Sequence, residues 1–211
     1  MGAIVKGTPN AAATTSVTIP THAVGDLIVI WAYRDGATTA ITKPTASGTI
    51  PAWVDIDAPL AASMANNNTC RSAWFVATAT NHTSGVWTGA TNVVAVVISG
   101  QASSPVGGHS VAAGSDVANG VVPALTQSVT DGSSLLLNFC GHRATFTSWS
   151  AAPAGYTRQV TQGIVILNTK DSTTSDGSMT NAISTAVGAG YAGNQIEILA
   201  VPSAGKFFAM F

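Results

Sequence analysis

The chain has 211 residues, of which 46% are apolar and only 8% charged, with a formal net charge of -1. So few basic residues leave no surface to neutralise phosphates, and no nucleic-acid partner is expected. The longest unbroken apolar run, Leu27 to Tyr33, is seven residues, against about 20 for a spanning helix, so no membrane partner is expected; disorder is excluded too, because it needs low hydrophobicity and high net charge.

Residues 1–7 lack the basic region and apolar core of a secretory signal, and Lys6 stands where myristoylation needs Ser or Thr. Synthesis without export by that route is expected. From there the dominant pattern is short β-branched runs between Gly, Pro, Asn, Asp and Ser. Residues 14–19 alternate and predict a strand ending at Pro20. Gly25-Asp26 opens Leu27 to Tyr33, apolar on both faces, which predicts an interior strand closed by the turn pair Asp35-Gly36. A Pro/Ala/Thr loop follows through Pro51 and Trp53, and one short helix is predicted over 60–65. Strands are predicted at 71–79, 84–88 and 92–99. Residues 101–120 are rich in Gly, Ser and Ala without periodicity, which predicts a long loop or a crossing between halves.

The second half repeats this grammar. Strands are predicted at 126–130, 134–140, 163–168 and 195–201, with a Pro153 to Tyr156 turn and a polar hairpin at 173–177. The two halves match in order at an offset of about 110 residues, though identity between them is weak. With no amphipathic helix of ten or more residues, the expected fold is all-β: a two-sheet antiparallel β-sandwich, jelly-roll-like, with two pseudo-repeated halves. It forms one domain over 1–205, its halves about 10–100 and 121–203, followed by an apolar tail at 206–211.

Chemistry-bearing residues are sparse. The histidines His22, His82, His109 and His142 stand at no metal-ligand spacing, and the first three sit in polar loops where solvation is expected. Asp55-x-Asp57, and Asp171 with Asp176, are read as solvated turn carboxylates rather than a calcium site or a glycosidase pair. Asp26 and Asp131 precede apolar strands and are read as backbone-capping turn residues. No Gly-x-Ser-x-Gly elbow occurs, and the Gly188-x-Gly190 pair lies in no strand-to-helix context. No catalytic residue, metal or cofactor is therefore expected. Cys70 and Cys140 lie in strand-like runs and are expected to be reduced, buried and inert.

Two groups of apolar residues carry the binding expectations. Trp31 and Trp74 read as core, whereas Trp53, Trp87 and Trp149 stand beside turns, where exposed aromatics would serve as a sugar platform or a partner contact; capping the sandwich core is the alternative. The last residues, Phe207, Phe208, Met210 and Phe211, form a sticky end expected to dock as a final strand or on a neighbouring subunit.

Ser16-Val17-Thr18-Ile19-Pro20 followed by Gly25-Asp26-Leu27-Ile28-Val29-Ile30 resembles a β-sandwich domain of tailed-bacteriophage virion proteins. So do Trp74 to Ala79, Gly85 to Ala90, Val96 to Gly100, Asp131-Gly132 and Pro153 to Thr157, so that the resemblance covers about residues 10–203. It implies a non-enzymatic structural protein of the virion, a head decoration (cement) protein or a tail component. The implied partners are copies of itself and a major capsid or other virion protein; a tail-associated module binding carbohydrate or a host receptor is the alternative. The family has no catalytic residues to transfer, and the aromatic tail departs from its pattern, leaving the mode of attachment open.

Overall fold

The computed structural model describes residues 2–37, 39–58, 60, 68–115, 118–145, 148–171, 178–183 and 187–202. Among these the protein is all-β, as expected. In chain order the strands are β1 (Ile4–Val5), β2 (Asn10–Ala12), β3 (Leu27–Asp35), β4 (Val54–Asp55), β5 (Asn68–Val76), β6 (Asn92–Ser99) and β7 (Gln101–Ser115). They continue with β8 (Asn119–Val122), β9 (Leu135–Thr145), β10 (Thr157–Gln162), β11 (Val165–Asp171), β12 (Met179–Ala182) and β13 (Val187–Ala200). The first sheet runs β1-β6-β3-β5-β4, with β2 also on β6; the second runs β10-β11-β9-β13-β7; β8 and β12 form a separate ribbon. All pairings are antiparallel.

Each large sheet is drawn from one half of the chain, and both share one strand order. From the edge, β1/β2, β6, β3, β5, β4 corresponds to β7, β13, β9, β11, β10. The pseudo-repeat is therefore structural. Among the described residues the chain crosses between the sheets once, between β6 and β7. The likeness to a jelly roll thus lies in two facing sheets, not in strands exchanged between them.

Strand period and burial explain the layers. Leu27, Val29, Trp31 and Tyr33 of β3 point inward with Val94, Val96 and Ile98 of β6, and meet Leu135, Leu137 and Phe139 of β9 and Ile196 and Ile198 of β13. Trp31 stacks on Phe139 across the sheets, ring centroids 5.6 Å apart. Alternate residues Ile28, Ile30 and Ala32 point the other way and are covered by Val17, Ile19, Ile41, Trp53 and Trp87 from loops. That double burial is why Leu27 to Tyr33 is apolar on both faces. Burying each large side chain contributes roughly 1.5–3 kcal/mol, so both coats matter to stability.

Three predicted strands are not strands. Residues 14–19 do alternate buried and exposed at Val17 and Ile19, but they lie over the outer face of the first sheet without joining a ladder. The Val17 N–H donates to Ser84 Oγ, and the Thr15 carbonyl accepts from Trp87 N–H. Residues 126–130 lie equivalently over the second sheet, and 84–88 makes only an isolated bridge, Thr88 to Thr42. Period two reports one buried face, which a segment draped across a sheet also has. The stretch at 101–120, expected as a long loop or a crossing between halves, does follow the crossing but holds β7 and the start of β8: backbone pairing of β7 with β13 overrides the weak strand preference of Gly, Ser and Ala. The predicted helix at 60–65 falls, apart from the non-helical Leu60, outside the described residues, as does the hairpin at 173–177.

The crossing turns at Gly100, whose φ is +78° and whose ideal Cβ would sit 2.8 Å from the Gly2 carbonyl oxygen. Both facts demand glycine. Gly100→Ala is expected to cost about 1–3 kcal/mol, a Tm loss of roughly 2–12 °C for a chain of this size. A thermal melt within one degree of the wild type would show that the crossing tolerates a side chain.

Candidate functional site

The three turn-flanking tryptophans are not a platform. Trp53, Trp87 and Trp149 are 4%, 0% and 8% exposed. Trp53 and Trp87 lie together over the first sheet, 5.9 Å between rings, and both indole N–H groups donate to the Ser84 carbonyl. Trp149 lies over the second sheet with Val122, Cys140, Ile166 and Ile183 and donates to the Gly163 carbonyl. The expectation of exposed aromatic contacts is thus corrected: turns beside these rings fold them down onto outer sheet faces that need an apolar cover. Phe207, Phe208, Met210 and Phe211 lie outside the described residues.

The acidic residues separate. Asp55 takes a bidentate pair from Arg71 (2.8 and 2.9 Å) and Lys43 Nζ at 2.7 Å. Burial opposes its ionisation, but the hydrogen bonds from Arg71 and Lys43 outweigh burial and hold its carboxyl below the usual range. Asp57 faces the other sheet, with Oδ1 on His109 Nδ1 at 2.8 Å and Oδ2 accepting from Asn194 Nδ2 at 3.0 Å. Both carboxylates are therefore engaged in ties rather than solvated, each with its own set of partners. Asp26 accepts from Lys6 Nζ and Ala23 N–H, and Asp131 from Ser133, as backbone-capping turns do.

Two histidines expected in solvent are built into the fold. His22 is 6% exposed and stacks on His82, centroids 5.8 Å apart. His82 Nε2 accepts from Thr78 and Ala79 N–H, leaving Nδ1 to donate to the Thr49 carbonyl; His22 Nε2 accepts from His82 N–H. His82 also borders a groove of about 580 Å³ between residues 10–19 and 82–86. Its polar lining includes Asn10, Thr14, Ser16, Thr18 and Thr83, over Val17, Ile19 and Val86; no aromatic carbon ring lines it. Among the described residues no group of three or more His, Cys, Asp or Glu side chains is placed to hold a metal ion.

The most demanding polar group was missed in the sequence. Glu197, the only glutamate, is fully buried. Its Oε2 accepts from Gly108 N–H (2.9 Å) and Ser128 N–H (2.6 Å), its Oε1 from Val129 N–H (3.0 Å) and Ser134 Oγ (2.9 Å). Burial raises its affinity for a proton, but these donors outweigh burial and lower its pKa below the ordinary range. A lone carboxylate inside the apolar run 195–201 was the available signal.

Comparisons with known family models, with curated proteins and with solved structures find no match.

Glu197→Gln places an amide where only acceptors fit, so a loss of about 2–4 kcal/mol is expected in urea unfolding near about pH 7. Because the folded state depresses this carboxyl, its contribution is present above the ordinary glutamate range and disappears as pH falls through the folded value. The gap between wild type and Glu197→Gln should therefore narrow as pH falls below the ordinary glutamate range; a gap constant with pH would refute the assignment. The thiols give a second test. Burial, then Asp57, pushes Cys70 up to about 12, and burial with Cys70 pushes Cys140 up. Neither free thiol should react with iodoacetamide in native buffer, and both should react in denaturant.

Proposed function

We propose that the protein is a non-enzymatic structural component of a bacteriophage virion, a capsid decoration (cement) protein that stabilises the head through contacts with the major capsid protein and with its own copies. The observation that carries this reading is where the charges go. Asp26 holds Lys6, Asp55 holds Lys43 and Arg71, Asp57 holds His109, Arg143 approaches Asp35, and Glu197 is buried. With 8% of residues charged, and much of that charge engaged internally, the exposed positions among the described residues are largely Thr, Ser, Ala and Gly. Such a surface loses water at lower cost than a charged one, which suits broad, permanent contact with a shell. The burial of Trp53, Trp87 and Trp149 agrees with a scaffold role.

The test is to add purified protein to particles that lack it. Saturable binding that persists at about 1 M salt is expected, because neutral contacts are not screened, and antibody labelling in electron micrographs should decorate heads. Release at moderate salt, or label confined to tails, would overturn the reading.

The groove between 10–19 and 82–86 favours one alternative, a tail-associated module for neutral carbohydrate, since hydroxyls and an amide line it. On that reading, glycan-array binding is lost in Thr18→Trp, which fills the groove, while particle binding is unchanged.

A further inference from the structure

A sheet edge exposes a row of unpaired N–H and C=O groups, and proteins guard such edges with breaks, bulges, charges or short strands. The two pseudo-repeated sheets present four edges, and three of them are guarded. The β1/β2 edge is interrupted between Val5 and Asn10 by Lys6, Gly7 and Pro9. The β4 edge is two residues long and ends at Asp55, which is tied to Arg71 and Lys43. The β10 edge is six residues long, bulged between Arg158 and Val160, and carries Arg158.

The fourth edge, β7, is different. It is the counterpart of β1/β2, yet it runs 15 residues without an Asp, Glu, Lys or Arg, and its one histidine, His109, is held by Asp57. Its first part is irregular, with register shifts against β13, and Gly108 N–H is taken by Glu197. From His109 onward the pairing with β13 is regular, and β13 is the only strand that pairs with residues 110–114 (Ser-Val-Ala-Ala-Gly) among the described residues.

We propose that residues 110–114 pair antiparallel with the same residues of a second copy, across a two-fold axis near Ala112, continuing the second sheet from one molecule into the next. The occupant follows from charge and symmetry. In a two-fold contact the residue on the axis meets its own copy and its neighbours lie within a few residues of theirs, so a charge near the axis would face a like charge. This edge has none, while the other three edges each carry charge. The contact spans roughly 17 Å, the length of five strand residues. It is therefore weak between free molecules and strengthens when copies are held close together, as on a particle. The inference deepens the proposed structural role by naming the self-contact surface, but its test uses the purified protein alone, so it fails or stands separately from capsid binding.

Val111 and Ala113 pack toward the core between the sheets, so Ala112 points to the opposite face, next to its own copy at the axis. Antiparallel partners lie about 4.5–5.5 Å apart at Cα, within disulfide range. Ala112→Cys should therefore give a covalent dimer under mild oxidation roughly tenfold faster than Val24→Cys, placed at a side chain 66% exposed elsewhere. In sedimentation velocity the wild type should associate with rising concentration. Ala112→Lys and Ala112→Glu should each be monomeric, and their mixture should associate. If either charged variant fails to fold, the cysteine pair decides alone. Absence of wild-type association, with Ala112→Cys no faster than Val24→Cys, overturns the proposal. So does association only after the chain is cut following Pro202, which would mean that residues 203–211 cover this edge.

Discussion

The outer face of the second sheet depends on where the Glu197 carboxylate finds its donors. A buried carboxylate without a cation is sustainable only if several hydrogen bonds reach it. Here backbone N–H groups of Gly108, Ser128 and Val129 and the Ser134 hydroxyl all converge on it. Those donors belong to three different stretches of chain: the irregular part of β7, the segment draped over the sheet, and the turn into β9. Satisfying one charge thus pins the crossing strand, the covering segment and the entry to the central strand to the same point on β13. The register shift between Ile196 and Ile198 on β13 lies at this residue, and the freed Gly108 N–H is the one that Glu197 uses.

The first sheet meets the same problem with weaker chemistry. Its covering segment, residues 14–19, also gives up ladder pairing, but a neutral hydroxyl, Ser84 Oγ, receives the Val17 N–H, and the Ser84 carbonyl receives both Trp53 and Trp87. The cover there is largely aromatic and aliphatic. Over the second sheet Asn138, Asn168 and Asn181 are fully buried and bond one another. The two halves share a strand order and an arrangement of central strand, covering segment and far edge, but they diverge in what coats the outside. Each half therefore keeps its layers by a separate set of contacts.

That divergence extends to the edges. Broken pairing protects β1/β2, whereas β7, the first strand after the crossing, pairs with β13 from Gln101 to Ser115. A strand that follows the turn at Gly100, bulges at Gly107 and Gly108 and then pairs along β13 is built of small residues, since a Cβ at Gly108 would meet the Thr126 carbonyl and one at Gly114 the Tyr191 ring. Small residues satisfy the crossing and leave the edge without the charges that guard the other three.

The fold class and the central strands are legible in the order of the amino acids alone. Leu27 to Tyr33, residues 92–99, 134–140 and 195–201 are legible because a strand buried on both faces is a continuous apolar run, and no other element accommodates such short runs between turn residues. That order also determined the pseudo-repeat, since like positions in the two halves face like burial. Tertiary structure alone decided which alternating segments became strands, because draping over a face and pairing at an edge leave the same period-two imprint at residues 14–19 and 126–130. It alone decided that Trp53, Trp87 and Trp149 point inward, because a turn-flanking position says nothing about which side of the turn the sheet lies on. The roles of Glu197 and of Asp57 with His109 and Asn194 were likewise out of reach: their partners lie 52 to 137 residues away in the chain, and only folding brings those donors to the carboxylates.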